Sequence, residues 1–144
     1  MKYFFFGSIY DADSEAPLLK DSKTGLQAAS NQYQWGFING LNKVLNKEIT
    51  LVSSYPVGAY PKKNKKLIYK SYSKKINELI HINYVGFINF YILKDCWRLY
   101  KFEKILSKEL KKYGSSTVFV YGLDLSFVWM VENCKRKYKD KLTI

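Results

Sequence analysis

Short apolar runs alternate along this chain with longer segments that repeat apolar residues at helical spacing. Three of the runs are typical of buried parallel strands: KYFFFGS (2–8), EITLVSS (48–54) and STVFVYG (116–122). Steps of three and four residues between apolar positions predict helices over residues 26–45, 86–114 and 123–138. Because strands that alternate with helices form parallel sheets, the chain is predicted to be a mostly parallel α/β domain.

Two regions interrupt this alternation. Residues 9–25 are polar and are predicted to form a long connecting loop, and loops of this length are often functional. Residues 55–85 combine a Pro/Gly turn, a lysine cluster and two strand-like segments (66–72 and 77–85), which predicts a small β-rich insert. A last strand begins at Leu142 and stops at Ile144, which favours a chain cut from a longer protein over a short edge strand.

The overall charge favours an anionic partner. The chain has 144 residues, the size of one domain, and a net charge of +12. Such a charge is typical of proteins that bind nucleic acid, anionic lipid or a phosphorylated small molecule.

Only Cys96 and Cys134 are present, without zinc-type spacing, which indicates reduced thiols in a cytoplasmic protein. No apolar stretch is long enough to predict a membrane span.

Basic residues cover one side of the predicted helix 86–114, opposite an apolar stripe. Lysines near an anionic bilayer contribute about 1 kcal/mol each, and interfacial aromatic residues add anchoring. The helix is therefore predicted to lie on an anionic membrane surface. The alternative is a lysine-rich surface without function. The residues assigned to membrane binding are Lys94, Trp97, Arg98, Lys101, Lys104 and Lys108.

Four stretches occur in an order and at spacings that carry a family resemblance: SKTGLQAASNQYQWGFINGL, SYPVGAYPKKNKK, NYVGFINFYILK and RLYKFEKILSKEL. Together they resemble the N-terminal half of bacterial family 4-like glycosyltransferases, which have the GT-B architecture. The resemblance implies two Rossmann-like domains that face each other, the first holding the acceptor and the second the nucleotide-sugar donor. It also implies retaining transfer without a bound metal or cofactor, to a cell-surface glycan or glycolipid acceptor at the inner face of the plasma membrane.

By this resemblance, residues 1–144 are a Rossmann-like, three-layer acceptor-side domain without its C-terminal donor domain. The family's donor signature has two glutamates separated by seven residues, and no glutamate pair in this chain has that spacing. The chain by itself is therefore expected to transfer no sugar, and the resemblance assigns no catalytic residue to it.

The resemblance also places a cleft. Thr24 and Gly25 lie where the family often has a Gly-Gly pair before a helix, a position suited to phosphate. Gln27 and Asn31 would reach a sugar hydroxyl, and other residues end strands at the edge where ligands of open α/β sheets bind. The alternative for the helix start is a simple cap, and for Asp124 a cap is favoured. The expected cleft residues are Gly7, Ser8, Thr24, Gly25, Gln27, Asn31, Tyr121 and Asp124.

The remaining polar residues favour bland interpretations. His81, the sole histidine, is expected to be structural, so no metal site is predicted. Asp11, Asp13 and Glu15 are expected to belong to a solvated loop, although a general base or a cation ligand is an alternative. A basic nucleic-acid-binding module and a non-catalytic interaction protein are the competing functions. The absence of a recognised nucleic-acid-binding signature makes nucleic acid the less expected partner.

Overall fold

The computed structural model describes residues 1–121 and 125–144 of the chain. The strands are β1 Lys2–Gly7, β2 Ile49–Ser53, β3 Ile68–Tyr69, β4 Tyr72–Lys75, β5 Ile80–Tyr84, β6 Phe87–Ile88, β7 Ser116–Val120 and β8 Leu142–Thr143. The helices are α1 Ala12–Asp21, α2 Ala28–Leu45, α3 Tyr91–Tyr113 and α4 Leu125–Tyr138, and a 3₁₀ turn follows at Lys139–Lys141.

Six of the strands form one sheet in the order β4-β5-β2-β1-β7-β8. All neighbouring strands are parallel except β4, which runs antiparallel to β5 at the edge. In the centre of the sheet Phe5 of β1 lies between Leu51 of β2 and Phe119 of β7. The predicted mixed α/β class with a mostly parallel sheet is therefore confirmed.

Side chains of β1 alternate between two hydrophobic cores, one on each face of the sheet. Phe5 packs in one core with Leu18 of α1 and Ile38 of α2. Phe4 and Phe6 point to the other face, where they pack against α3 and α4. Because Phe4, Phe5 and Phe6 are at most 1% exposed, the run of three phenylalanines reads as a strand covered on both faces.

The polar segment 9–25, expected to be a loop, contains helix α1. Asp11 is the N-cap, and its side chain accepts a hydrogen bond from Ser14 N at 3.2 Å. Asp11 is buried, and it forms an ion pair with Lys74 of β4. The expectation of a solvated loop was wrong here, because the partner of this carboxylate comes from a strand 63 residues away in sequence.

The predicted helix 86–114 begins five residues later than expected. Phe87 and Ile88 form β6 and pair antiparallel with β3 as a separate two-stranded sheet. The strand-like segment 66–72 accordingly divides into β3 and the start of β4, while 77–85 contains β5. The start of α3 is thus set by a pairing between segments about 20 residues apart, which helical periodicity does not reveal.

Candidate functional site

A pocket of about 470 Å3 lies beyond the carboxyl ends of β1 and β2. Its walls come from the end of β1, the loop before α2, the turn after β2 and the first turns of α3. We call it the cationic pocket, because three lining side chains are cations and none is a carboxylate. Its lining residues are Ser8, Thr24, Gly25, Leu26, Gln27, Pro56, Val57, Gly58, Lys63, Lys94 and Arg98.

The end of β1 is fixed by a buried glutamine. Gln34 of α2 accepts a hydrogen bond from Ser8 N at 3.2 Å and donates one to Ser8 O at 3.1 Å. A Cβ atom on Gly7 would lie 2.5 Å from Gln34 Oε1, so this approach requires glycine. The backbone clamp leaves the Ser8 hydroxyl for the pocket, where it accepts a hydrogen bond from Arg98 Nη2 at 3.1 Å.

The loop before α2 forms a tight, solvent-facing wall. Ser22 Oγ donates to Gly25 O at 2.8 Å and accepts from Thr24 N at 3.3 Å. Gly25 has a φ of +79°, a conformation that favours glycine. Gln27 is the N-cap of α2; its side chain forms no capping bond, and the residue lines the pocket.

The opposite wall is held by Asn89, a fully buried residue between β6 and α3. Its amide nitrogen donates to Gly58 O at 2.9 Å and to Lys66 O at 3.1 Å. Gly58 in turn packs closely on Lys63, since a Cβ atom there would lie 2.4 Å from Lys63 Cβ. Asn89 therefore fixes the turn that presents Gly58 and Lys63 to the cationic pocket.

Lys94 and Arg98 supply the positive charge from α3. Lys94 Nζ donates to Val57 O at 3.1 Å. Burial lowers the pKa of Lys94 from its usual value, and the charges of Arg98 and Lys63 lower it further against an opposing effect of Asp95. Arg98 is 12% exposed and also contacts Asp95, with Nη1 3.4 Å from Oδ1. Half-buried cations that repel one another indicate a place suited to an anion.

The structure brings together four of the residues expected in the cleft: Ser8, Thr24, Gly25 and Gln27 all line the cationic pocket. Gly7 ends β1 and does not line the pocket. Asn31 does not line the cationic pocket. Its side-chain amide accepts a hydrogen bond from Tyr10 N at 2.9 Å and donates one to Tyr10 O at 3.1 Å. Tyr121 instead contacts the ring of Tyr33. Asp124 lies outside the described residues.

The six residues expected at a membrane surface divide into two groups. Lys94 and Arg98 turn into the cationic pocket, so they are not part of an exposed basic face. Trp97, Lys104 and Lys108 are exposed, and Lys101 lies over the Trp97 ring at 5.4 Å. Helical spacing alone could not separate the groups, because the neighbours that cover Lys94 and Arg98 come from distant parts of the chain.

A second pocket, of about 520 Å3, lies between α1 and strands β3 and β4. Its polar groups bind one another: Lys74 pairs with Asp11 and Asp13, and the Ser14 hydroxyl contacts Tyr55 Oη at 3.0 Å. Burial raises the pKa of Tyr55 above its usual range. Since these groups already satisfy each other, they are better understood as structural contacts between α1 and the insert. The sequence had singled out Asp11 and Asp13 as an alternative general base or cation ligand, but it did not identify Lys74 or Tyr55 as members of the same cluster.

Three further observations limit the chemistry of the described residues. His81 Nε2 lies 4.0 Å from Glu48 Oε1 at the surface, and within residues 1–121 and 125–144 no group of three His, Cys, Asp or Glu is arranged to hold a metal ion. None of the helices in the described part of the chain is long and apolar enough to cross a bilayer. Comparison with protein-family models, curated proteins and solved structures found no significant match.

Proposed function

We propose that this chain is the acceptor-side domain of a glycosyltransferase and that the cationic pocket binds a phosphate-bearing part of a substrate. The observation that carries the proposal is the convergence of Lys63, Lys94 and Arg98 on Ser8 and on the loop before α2. These groups come from four separate segments of the chain. A solvated lysine-rich surface would not require such convergence.

The strand order supports the choice of site. The parallel strands run in the order β5-β2-β1-β7-β8, which is the order of Rossmann-like doubly wound folds. After β1 the chain adds β2 and β5 on one side of that strand, and it then adds β7 and β8 on the other side. The direction in which strands are added therefore reverses between β1 and β7. Ligands of open α/β sheets bind outside the carboxyl ends of strands at such a point, and Ser8, which follows β1, lies on the β1 side of it.

The lining groups suit phosphate oxygens. Charged lysine and arginine donors form short, strong hydrogen bonds to phosphate, and a glycine loop at a helix start adds backbone N–H donors. A pocket of about 470 Å3 accommodates a phosphoryl group together with part of a sugar or nucleoside. The proposed ligands are therefore a phosphate-linked lipid or glycan acceptor, or the phosphates of a nucleotide sugar that a donor-binding domain holds from the other side of the cleft. Sugar transfer itself is proposed to require a donor-binding domain.

Replacement of one pocket cation tests the proposal. We expect the chain to bind uridine diphosphate and pyrophosphate in calorimetric titrations, and to bind uridine much more weakly. Lys94→Gln removes one charge-assisted contact and should weaken binding of both anions by about tenfold or more. Lys104→Gln is the matched control, because Lys104 lies on the same helix, exposed and outside the pocket.

Two results would contradict the proposal. Equal loss of affinity in both variants would mean that the anions respond to overall charge rather than to the pocket. Tight binding of a single-stranded oligonucleotide that pyrophosphate does not displace would favour the alternative function of a nucleic-acid-binding module.

A further inference from the structure

Large apolar side chains are grouped on the surface where the β3–β6 pair meets the start of α3. Phe90, Ile92 and Leu93 are 51%, 69% and 57% exposed, and exposed apolar residues that are grouped on a surface often mark an interaction site. We define the apolar tip as the exposed residues Ile68, Ile88, Phe90, Ile92, Leu93 and Trp97.

Backbone pairing and hydrogen bonds support the base of the apolar tip. Ile68 of β3 pairs directly with Ile88 of β6. Asn89 N donates to Leu67 O at 2.6 Å, and Asn89 O accepts from Tyr60 N at 2.8 Å. These bonds tie Asn89, which follows β6, to the residue before β3 and to the turn at Tyr60, so the exposed side chains project from a hydrogen-bonded base.

Lysines border the apolar tip. Lys62, Lys65, Lys66 and Lys70 are exposed, and the amide of Asn89 bonds the carbonyl of Lys66 itself. Lys66 and Lys70 line the second pocket together with Ile68, and Lys65 Nζ donates to Lys20 O at 3.3 Å, so these lysines lie on the Ile68 side of the apolar tip. An exposed apolar surface edged by lysines and bearing tryptophan complements an anionic bilayer, in which apolar groups enter the acyl boundary and cations meet lipid phosphates.

We propose that the apolar tip inserts into the interfacial layer of an anionic membrane, with the lysines of residues 62–70 on the lipid headgroups. This surface differs from the basic stripe expected from the sequence, since Lys94 and Arg98 face the cationic pocket instead. Lys94 follows Leu93 directly, so insertion would bring the pocket close to the lipid surface. The inference does not depend on sugar transfer.

Vesicle binding of matched variants tests this inference. The chain should sediment with vesicles of phosphatidylcholine and phosphatidylglycerol, and far less with phosphatidylcholine alone. The double variant Ile92→Ser, Leu93→Ser should lower the partition coefficient by about tenfold or more, because two exposed apolar side chains are lost. Val44→Ser is the matched control, since Val44 is 83% exposed on α2, on the other face of the sheet. Lys65→Gln with Lys66→Gln should weaken binding and reduce its dependence on salt.

A fluorophore provides a second readout. Cys96 is exposed on α3 beside the apolar tip, whereas Cys134 is buried, so a polarity-sensitive maleimide dye would label Cys96. Its emission should shift to the blue with anionic vesicles in the otherwise unchanged chain, and should stay unshifted in the double serine variant.

Three results would overturn the inference. The first is no binding of the unchanged chain to anionic vesicles. The second is equal binding by the double serine variant, shown to be folded by circular dichroism. The third is a lipid-free dimer that the same double variant converts to monomer, because the apolar tip would then be an interface between copies of the chain.

Discussion

Asp11 joins two parts of the molecule through one carboxylate. It caps α1 through Ser14 and pairs with Lys74 of the edge strand. Burial raises the pKa of this carboxyl, but the hydrogen bonds from Lys74 and Ser14 outweigh that effect, and the net pKa is lowered from 3.8. Asp11 thus contributes stability through its charged form.

Replacement of Asp11 should reveal this contribution through its pH dependence. Because the folded-state pKa is depressed, the stabilisation is present above the unfolded-state pKa and is lost as the pH falls through the folded-state value. Asp11→Ala should lower the free energy of unfolding by about 1–2 kcal/mol at neutral pH through loss of the cap. Asp11→Asn keeps a capping side chain and isolates the charge.

Urea unfolding of both variants between acidic and neutral pH measures these differences. The gap between Asp11→Asn and the unchanged chain should be full at neutral pH and narrow below about pH 4. A gap that is constant over the whole range would show that the carboxylate charge contributes nothing.

Some residues of the cationic pocket could be predicted from the sequence, and others could not. Ser8 was expected at the cleft because it ends a strand, and Thr24, Gly25 and Gln27 were expected there because the family resemblance places a glycine pair before this helix. Lys94 and Lys104 could not be distinguished, since both are lysines on the same helix. Only the turn after β2, which reaches Lys94 through Val57 O, assigns them different surroundings.

At the scale of elements, the segment between β2 and α3 depends on Asn89. Its side chain bonds the carbonyl groups of Gly58 and Lys66, and its backbone bonds Leu67 and Tyr60. Asn89→Ala leaves two carbonyl groups without their donor, at a cost of about 1–3 kcal/mol for each buried group. Because the Gly58 turn forms one wall of the cationic pocket, pyrophosphate affinity should fall as well.

Calorimetric titration of pyrophosphate together with thermal unfolding separates the two effects of Asn89→Ala. Asn64→Ala provides a comparison, because Asn64 is also fully buried in this segment but its side chain accepts from Lys66 N and Tyr69 Oη and does not bond Gly58. A loss of stability without a loss of pyrophosphate affinity in Asn89→Ala would show that the turn keeps its position without this side chain.

Elements were predictable from the sequence where their pattern is local. The phenylalanine run predicts β1 as a buried strand, and the spacing of apolar residues predicts α2 as a helix. Helix α1 was missed because its ten residues include Pro17 and just one buried apolar residue, Leu18. Strand β6 was missed because its two residues become a strand through pairing with β3.

At the scale of the whole molecule, the two cores share β1 and should unfold together. Phe6 is fully buried and packs edge-on against Phe102, with ring centroids 5.7 Å apart. Phe6→Ala should cost about 3–5 kcal/mol, a large part of the roughly 5–15 kcal/mol that stabilises a typical domain. Trp35 packs in the opposite core, so its fluorescence should report the same lowered midpoint.

The measurement needs a background in which the exposed Trp97 and Trp129 are replaced by phenylalanine. Urea unfolding followed by Trp35 fluorescence and by circular dichroism should give coincident curves for Phe6→Ala. Separate transitions would show that the two faces of the sheet are independent units.

Alternation of strands and helices predicted the sheet type of the whole molecule but not its strand order. The order depends on the side of β1 to which each crossover connection leads. That side is set by the packing of α1 and α2 on one face of the sheet and of α3 and α4 on the other. The amino-acid composition does not indicate the strand order.

Strand β4 gives the sheet one antiparallel, charged border. Lys74 is engaged by two carboxylates, and Lys75 projects beside it into solvent. A further strand that approached this border would have to desolvate both lysines, and such charges discourage edge-to-edge growth of sheets. This border therefore disfavours pairing of a further strand on the β4 side of a chain in which 17% of residues are aromatic, and it directs association towards side-chain surfaces.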